Sequence, residues 1–121
     1  MKVLKFGGTS VGSVDSIKNV KMIVEQCEEN VIVVVSALGG ITDRLIATAN
    51  KASDGDESFA DSMQEIRARH SEVIAGVVPE QYRDEIECRV NEMLDELYNI
   101  YRGVFLIKEL SSKTLDTIVS Y

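Results

Sequence analysis

The run "KVLKFGGTSVGS" at residues 2–13 sets a cation, Lys5, just ahead of Gly7 and Gly8, two hydroxyls, Thr9 and Ser10, and a third glycine, Gly12. Glycines let backbone N–H groups approach an anion closely, and a helix starting after the loop adds the positive end of its dipole. With a lysine at the strand end, that set of groups suits a polyphosphate. It equally suits an ordinary strand-to-helix turn with Lys5 solvated or paired, because glycine turns are common in such units. The loop is not a Walker A motif. Gly7 and Gly12 have its spacing, but Ser13 and Val14 stand where lysine and a hydroxyl are required. G-x-G-x-x-G fails as well. A second loop, "VVVSALGGITDRL", repeats the construction with Ser36, Gly39, Gly40 and Thr42. Ser36 and Thr42 could simply cap a helix, but two such loops side by side could hold two anionic groups, a phosphoryl donor and a carboxylate acceptor.

The elements that would position these loops can be read from hydrophobic periodicity. "KVLKF" alternates and ends at glycine, and "VIVVV" at 31–35 is a continuous β-branched run of the kind found in a central strand buried on both faces. Between them Val14, Ile17, Val20, Ile23, Val24 and Cys27 fall on one helical face, with Ser13 as N-cap and Asp15 in the first turn. Strand, helix, strand predicts a right-handed crossover with both loops on one edge of a parallel sheet, where open α/β sheets bind ligands. After the helix "ITDRLIATANKA" and the polar break "SDGDES", two long helical patterns follow, divided by Pro79. One carries Phe59, Met63, Ile66, Val73 and Val77; the other carries Tyr82, Ile86, Val90, Met93, Leu97 and Ile100. They predict an antiparallel pair. A last helical pattern starts at Ser111 or Ser112, and the chain stops inside it.

Composition narrows the function. At 121 residues and 45% hydrophobic, the chain can form one packed domain or part of one. A formal net charge of -7 argues against nucleic acid and anionic membrane surfaces as partners. Neither a membrane-length apolar run nor a signal-peptide pattern is present, so a cytoplasmic protein is expected. Cys27 and Cys88 match no metal spacing and are expected to be reduced thiols, one buried and one partly exposed; no metal-ligating residues are assigned. His70 lies on the apolar stripe between Ile66 and Val73 and reads as structural. Arg44 could help hold substrate or serve at the surface, and the acidic positions from Asp54 to Glu96 read as a solvated helix exterior.

"KFGGTSVG" from Lys5 and "VVSALGGITDRL" from Val34 together resemble the N-terminal part of the aspartate kinases of the amino acid kinase family, with or without a fused homoserine dehydrogenase. "YRGVFLIKELSSKTLDTIVSY" is more loosely similar to the approach to that family's Gly-Glu motif. The resemblance implies an α/β fold, part of an amino acid kinase-like three-layer architecture with parallel strands and a helical insertion. Residues 1–52 would form a βαβα ligand-loop unit, 53–110 the insertion and 111–121 the start of the next helix. It implies ATP-dependent phosphorylation of the L-aspartate side-chain carboxylate, with Mg2+, by a homo-oligomeric enzyme. By position, Lys5 would be catalytic and would bind ATP with Phe6, Gly7, Gly8, Thr9 and Ser10, while Ser36, Ala37 and Thr42 would line the aspartate pocket. The family's kinase domain extends well beyond Tyr121, so the chain alone is expected to carry half a site and little or no turnover. The competing expectations are another acyl-phosphate-forming kinase of the family, altered at Ser36 and Thr42, and a non-catalytic interaction module using the helical pair and an open sheet edge.

Overall fold

β-Branched and aromatic residues on both sides of a well-capped helix produce the first motif of the chain. In the computed structural model, which describes residues 1–121, β1 (Lys2–Phe6) and β2 (Val31–Val35) pair in parallel, with α1 (Val14–Glu25) between them in sequence. Ser13 caps α1 as expected: its backbone is extended at φ -149° and its Oγ accepts from Ser16 N–H at 3.1 Å. Cα partners run from Lys2 with Val31 to Phe6 with Val35. At the amino ends of the strands, Glu29 accepts from the terminal ammonium at 3.0 Å and lies 3.7 Å from Lys2 Nζ. These groups are largely exposed, so the pairs contribute little to stability.

The chain divides into two compact units, residues 1–41 and 42–121. In the first, the expected burial of "VIVVV" on both faces is not met: Ile32, Val33, Val34 and Val35 are 39–56% exposed. A two-stranded sheet leaves each strand one bare edge and has no further strand to shield it. Of the two thiols, Cys27 is half-buried, with Sγ donating to Ile23 O at 3.4 Å, and Cys88 is exposed; neither is buried.

The second unit is helical. It holds nearly all of α2 (Ile41–Ser53), then α3 (Phe59–Val77), α4 (Glu80–Ile107) and α5 (Ser112–Val119). Pro79 precedes α4, where its missing N–H is harmless, and the two-residue connection folds α3 back against α4. Phe59 lies 5.1 Å from Phe105 and 6.1 Å from Tyr98 between ring centroids, and Arg67 pairs with Asp95, which fixes the antiparallel sense. His70 is half-buried, its Nδ1 2.8 Å from Ile66 O, in keeping with a structural role.

Two left-handed residues end helices here. Gly55, at φ 74°, closes α2 in a Schellman arrangement: Gly55 N–H bonds Ala52 O at 3.0 Å and Asp56 N–H bonds Lys51 O at 2.9 Å. Asp56 Oδ1 in turn accepts from Ser58 N–H at 2.9 Å, which holds its carboxyl below the usual carboxylate range. Lys108, at φ 54°, terminates α4, and its stem passes close to Gly55, so that a Cβ there would stand 3.2 Å from Lys108 Cε. Ser111, the first of the two expected caps, opens α5 by accepting from Thr114 N–H at 3.1 Å.

The buried face of α4 matches the expected one only in part, with Leu97 common to both. Leu94, Leu97, Tyr101 and Val104 are buried, whereas Tyr82 and Met93 are 53% and 52% exposed. Two apolar stripes overlap on this 28-residue helix, and the later one is buried where α3 and α4 pack together. Leu97→Ala should therefore cost about 2–5 kcal/mol, while Met93→Ala should stay within about 0.5 kcal/mol of the parent. Urea denaturation of the two variants checks this, and equal losses would contradict the buried face assigned to α4.

Candidate functional site

Parallel pairing places the carboxyl ends of β1 and β2 side by side. Lys5 lies opposite Val34, Phe6 opposite Val35, and Ser36 N–H extends the ladder to Phe6 O at 3.2 Å. The two loops therefore leave the sheet from the same edge, as the sequence predicts. The Lys5 side chain is exposed and makes no ion pair or hydrogen bond within the chain. Leu4 and Phe6 are half-buried on alternate positions, so Lys5 and Val3 occupy the more open face.

The first loop turns at once. Ser10 N–H donates to Gly7 O at 3.0 Å, and Val11 is buried at 5% exposure, anchoring the loop before Ser13 opens α1. Its three glycines are not equivalent. A Cβ at Gly12 would stand 3.1 Å from Gly8 O, a backbone contact tighter than side chains ordinarily tolerate. A Cβ at Gly7 would meet nothing within 4 Å, and one at Gly8 would make only ordinary contact, 3.7 Å, with Ser36 Oγ. Neither Gly7 nor Gly8 has a positive φ. The turn itself thus crowds a side chain at 12 and not at 7 or 8, a distinction that spacing does not reveal.

The second loop approaches the first through Ser36. Its Oγ donates to Ala37 O at 3.0 Å, and the Gly8 neighbourhood lies within van der Waals reach. Gly40, at φ 79°, then admits the backbone to α2, where Ile41 N–H bonds Leu38 O at 3.0 Å. Lys5, Phe6, Gly7, Gly8, Thr9, Ser10, Ser36 and Ala37 all belong to the first unit. Thr42, exposed in the first turn of α2, belongs to the second. Arg44 is engaged by Glu65 at 2.9 Å, an exposed ion pair on the helical unit. A cleft of about 290 Å³ opens beside the first loop, lined by Phe6, Thr9 and Ser10 together with Ser16, Asn19 and Val20 of α1. Ser16 and Asn19 carry polar groups to the loop that the apolar-face reading of α1 passes over. No group of three or more His, Cys, Asp or Glu residues is placed to hold a metal ion.

The sequence profile of the amino acid kinase family matches residues 1–114. The chain belongs to the amino acid kinase family. Among its relatives, chloroplastic aspartokinase 1 of Arabidopsis thaliana is 32% identical over 120 residues, covering 98% of this chain and 21% of that protein. Aspartokinase III of E. coli superposes with a TM-score of 0.81 at 27% identity, over 99% of this chain and 25% of that one. The same figures hold for its complex with lysine and aspartate (T-state) and for its complex with aspartate and ADP (R-state). The expected resemblance to aspartokinases and the amino acid kinase-like α/β fold are thus borne out. The chain spans about a fifth to a quarter of the length of these amino acid kinase family members. No helix is long and apolar enough to cross a membrane.

The unequal glycines lead to a direct test. Gly12→Ala should lower stability by about 1–3 kcal/mol, because the contact it creates is with backbone. Gly7→Ala should leave stability unchanged or raise it by about 0.4–1 kcal/mol through the unfolded chain. Thermal unfolding distinguishes the two; a large loss at Gly7 would mean that the turn needs glycine there as well.

Proposed function

We propose that this chain is the N-terminal portion of an aspartate kinase catalytic domain, with 1–52 as the ligand-loop unit, 53–110 as a helical insertion and 111–121 as the opening of the next helix. In the complete enzyme it would bind ATP and L-aspartate and form 4-phospho-L-aspartate; this stretch alone would turn over little or nothing. The observation that carries the reading is the juxtaposition of two loops at the carboxyl edge of a parallel pair, with an unpaired Lys5 beside glycines that the turn does not require. The aspartate and ADP in the complexes described for E. coli aspartokinase III support it.

In this reading a side-chain carboxylate oxygen of aspartate attacks the γ-phosphorus of ATP, the bond to the β–γ bridging oxygen breaks, and ADP leaves. An ionised carboxylate needs no base, so positioning and charge stabilisation are what the protein supplies. Lys5 stabilises negative charge on the transferring group. Open backbone at Gly7 and Gly8, with Phe6, Thr9 and Ser10, cradles the phosphates, and Ser36, Ala37 and Thr42 line the acceptor pocket. Mg2+, when bound with the nucleotide, would neutralise phosphate charge. The exposed face of β1 and β2 supports a protein that buries this surface against further structure, and we include a homo-oligomer and a cytoplasmic location in the proposal.

In the longer enzyme, Lys5→Met should reduce kcat on the order of 100- to 1,000-fold with the fold retained, as expected for loss of a transition-state charge stabiliser. Turnover of a folded variant close to that of the parent would remove Lys5 from the chemistry. Thr42→Val keeps shape and loses a hydroxyl, so it should raise KM for aspartate more than KM for ATP. Steady-state kinetics with each substrate varied decides this, and equal effects would make Thr42 a structural residue of α2.

A further inference from the structure

Tyr101 is the largest fully buried side chain of the protein, at 0% exposure, and its hydroxyl donates to Leu45 O at 2.9 Å across 56 sequence positions. The donor is on α4 and the acceptor is in the second turn of α2. A helical carbonyl has a second lone pair beyond its own ladder bond, and this hydroxyl takes it. One residue earlier, Arg44 O accepts from Thr48 Oγ1 at 2.7 Å, and Thr48 is 1% exposed. Two consecutive carbonyls of α2 are therefore held by buried hydroxyls, within one turn of Thr42. Phenylalanine would fill the same apolar volume at 101 without the cost of burying a hydroxyl, so what tyrosine adds is one directed bond to α2. Burial also raises the Tyr101 hydroxyl above the ordinary tyrosine range.

We infer that Tyr101 is a positioning residue for the acceptor site, its bond to the Leu45 carbonyl fixing the opening turns of α2 and so the place of Thr42. This rests on the proposed role of Thr42 in the aspartate pocket. The α3–α4 pair thereby acts as a bracing element for a substrate-facing helix.

Tyr101→Phe in the longer enzyme should raise KM for aspartate roughly three- to tenfold, the range set by one neutral hydrogen bond, and leave KM for ATP and kcat nearly unchanged. Hydrogen exchange at the amides of residues 45–49 should accelerate in the same variant. Combined with Thr42→Val, the effects on KM for aspartate should be non-additive, since one residue acts through the other. Leu97→Ala, buried one turn away on α4, serves as the comparison: it should lower stability without separating the two Michaelis constants. Equal shifts in both constants for Tyr101→Phe, the same split for Leu97→Ala, strict additivity, or unchanged exchange in α2 would each overturn the inference. The outcome that strikes the underlying reading is different: Thr42→Val would leave KM for aspartate untouched, while the exchange at 45–49 would still report on the brace.

Discussion

Parallel pairing of β1 with β2 is the constraint on which the candidate site depends, because it alone makes two loops distant in sequence leave the sheet together. A ladder that matches Lys5 with Val34 and Phe6 with Val35 puts the Gly7–Gly8 backbone next to Ser36. Slipping the register by one residue would turn Lys5 to the face now held by Leu4 and Phe6, since side chains alternate along a strand. The helix between the strands matters for the same reason. Parallel neighbours need a crossover, and α1 supplies one whose capped N-terminus follows the glycine loop.

The helical unit solves a different problem, that of holding elements with little apolar surface to share. α3 and α4 bury Phe59, Met63, Ile66, Leu94, Leu97 and Val104, and the aromatic contacts of Phe59 add directional packing. α2 presents mostly small residues to its buried side, Thr48, Ala49 and Ala52 among them. A long tyrosine reaching from α4 can therefore find a backbone acceptor there, and its hydroxyl is satisfied by a carbonyl rather than by a second side chain.

Much of this was legible in the sequence, and the division is a physical one. Caps and stops follow from chemistry within a few residues, which is why Ser13, Ser111, Pro79 and the polar break before Phe59 mark helix ends as expected. The two loops were legible as well, because a cation, glycines and hydroxyls between a strand and a helix form a local pattern. Burial depends on what covers a surface, and there the reading of "VIVVV" as doubly buried departs from the structure. The α4 face is met only in part for a related reason: Leu97 is buried as expected, but two overlapping stripes satisfy one period, and the choice between them rests on packing with other elements. The hydroxyl of Tyr101 and the separate duty of Gly12 rest on contacts made in space, 56 positions apart in one case and to a backbone oxygen in the other, so no periodicity announces them.

The exposed sheet and the short α3–α4 connection also bear on the order in which the chain can settle. β1 and β2 precede α3 and α4 along the chain, yet their pairing joins residues separated by a whole helix and leaves valines in water. The pair α3 and α4 emerges later but closes across two residues, so its contacts are gained at a small loss of chain entropy. Pairing of the strands that carry the glycine-rich loop thus costs more chain entropy than closing α3 on α4, and until those strands pair the chain exposes its most β-prone segment, the five residues a chaperone would have most reason to cover.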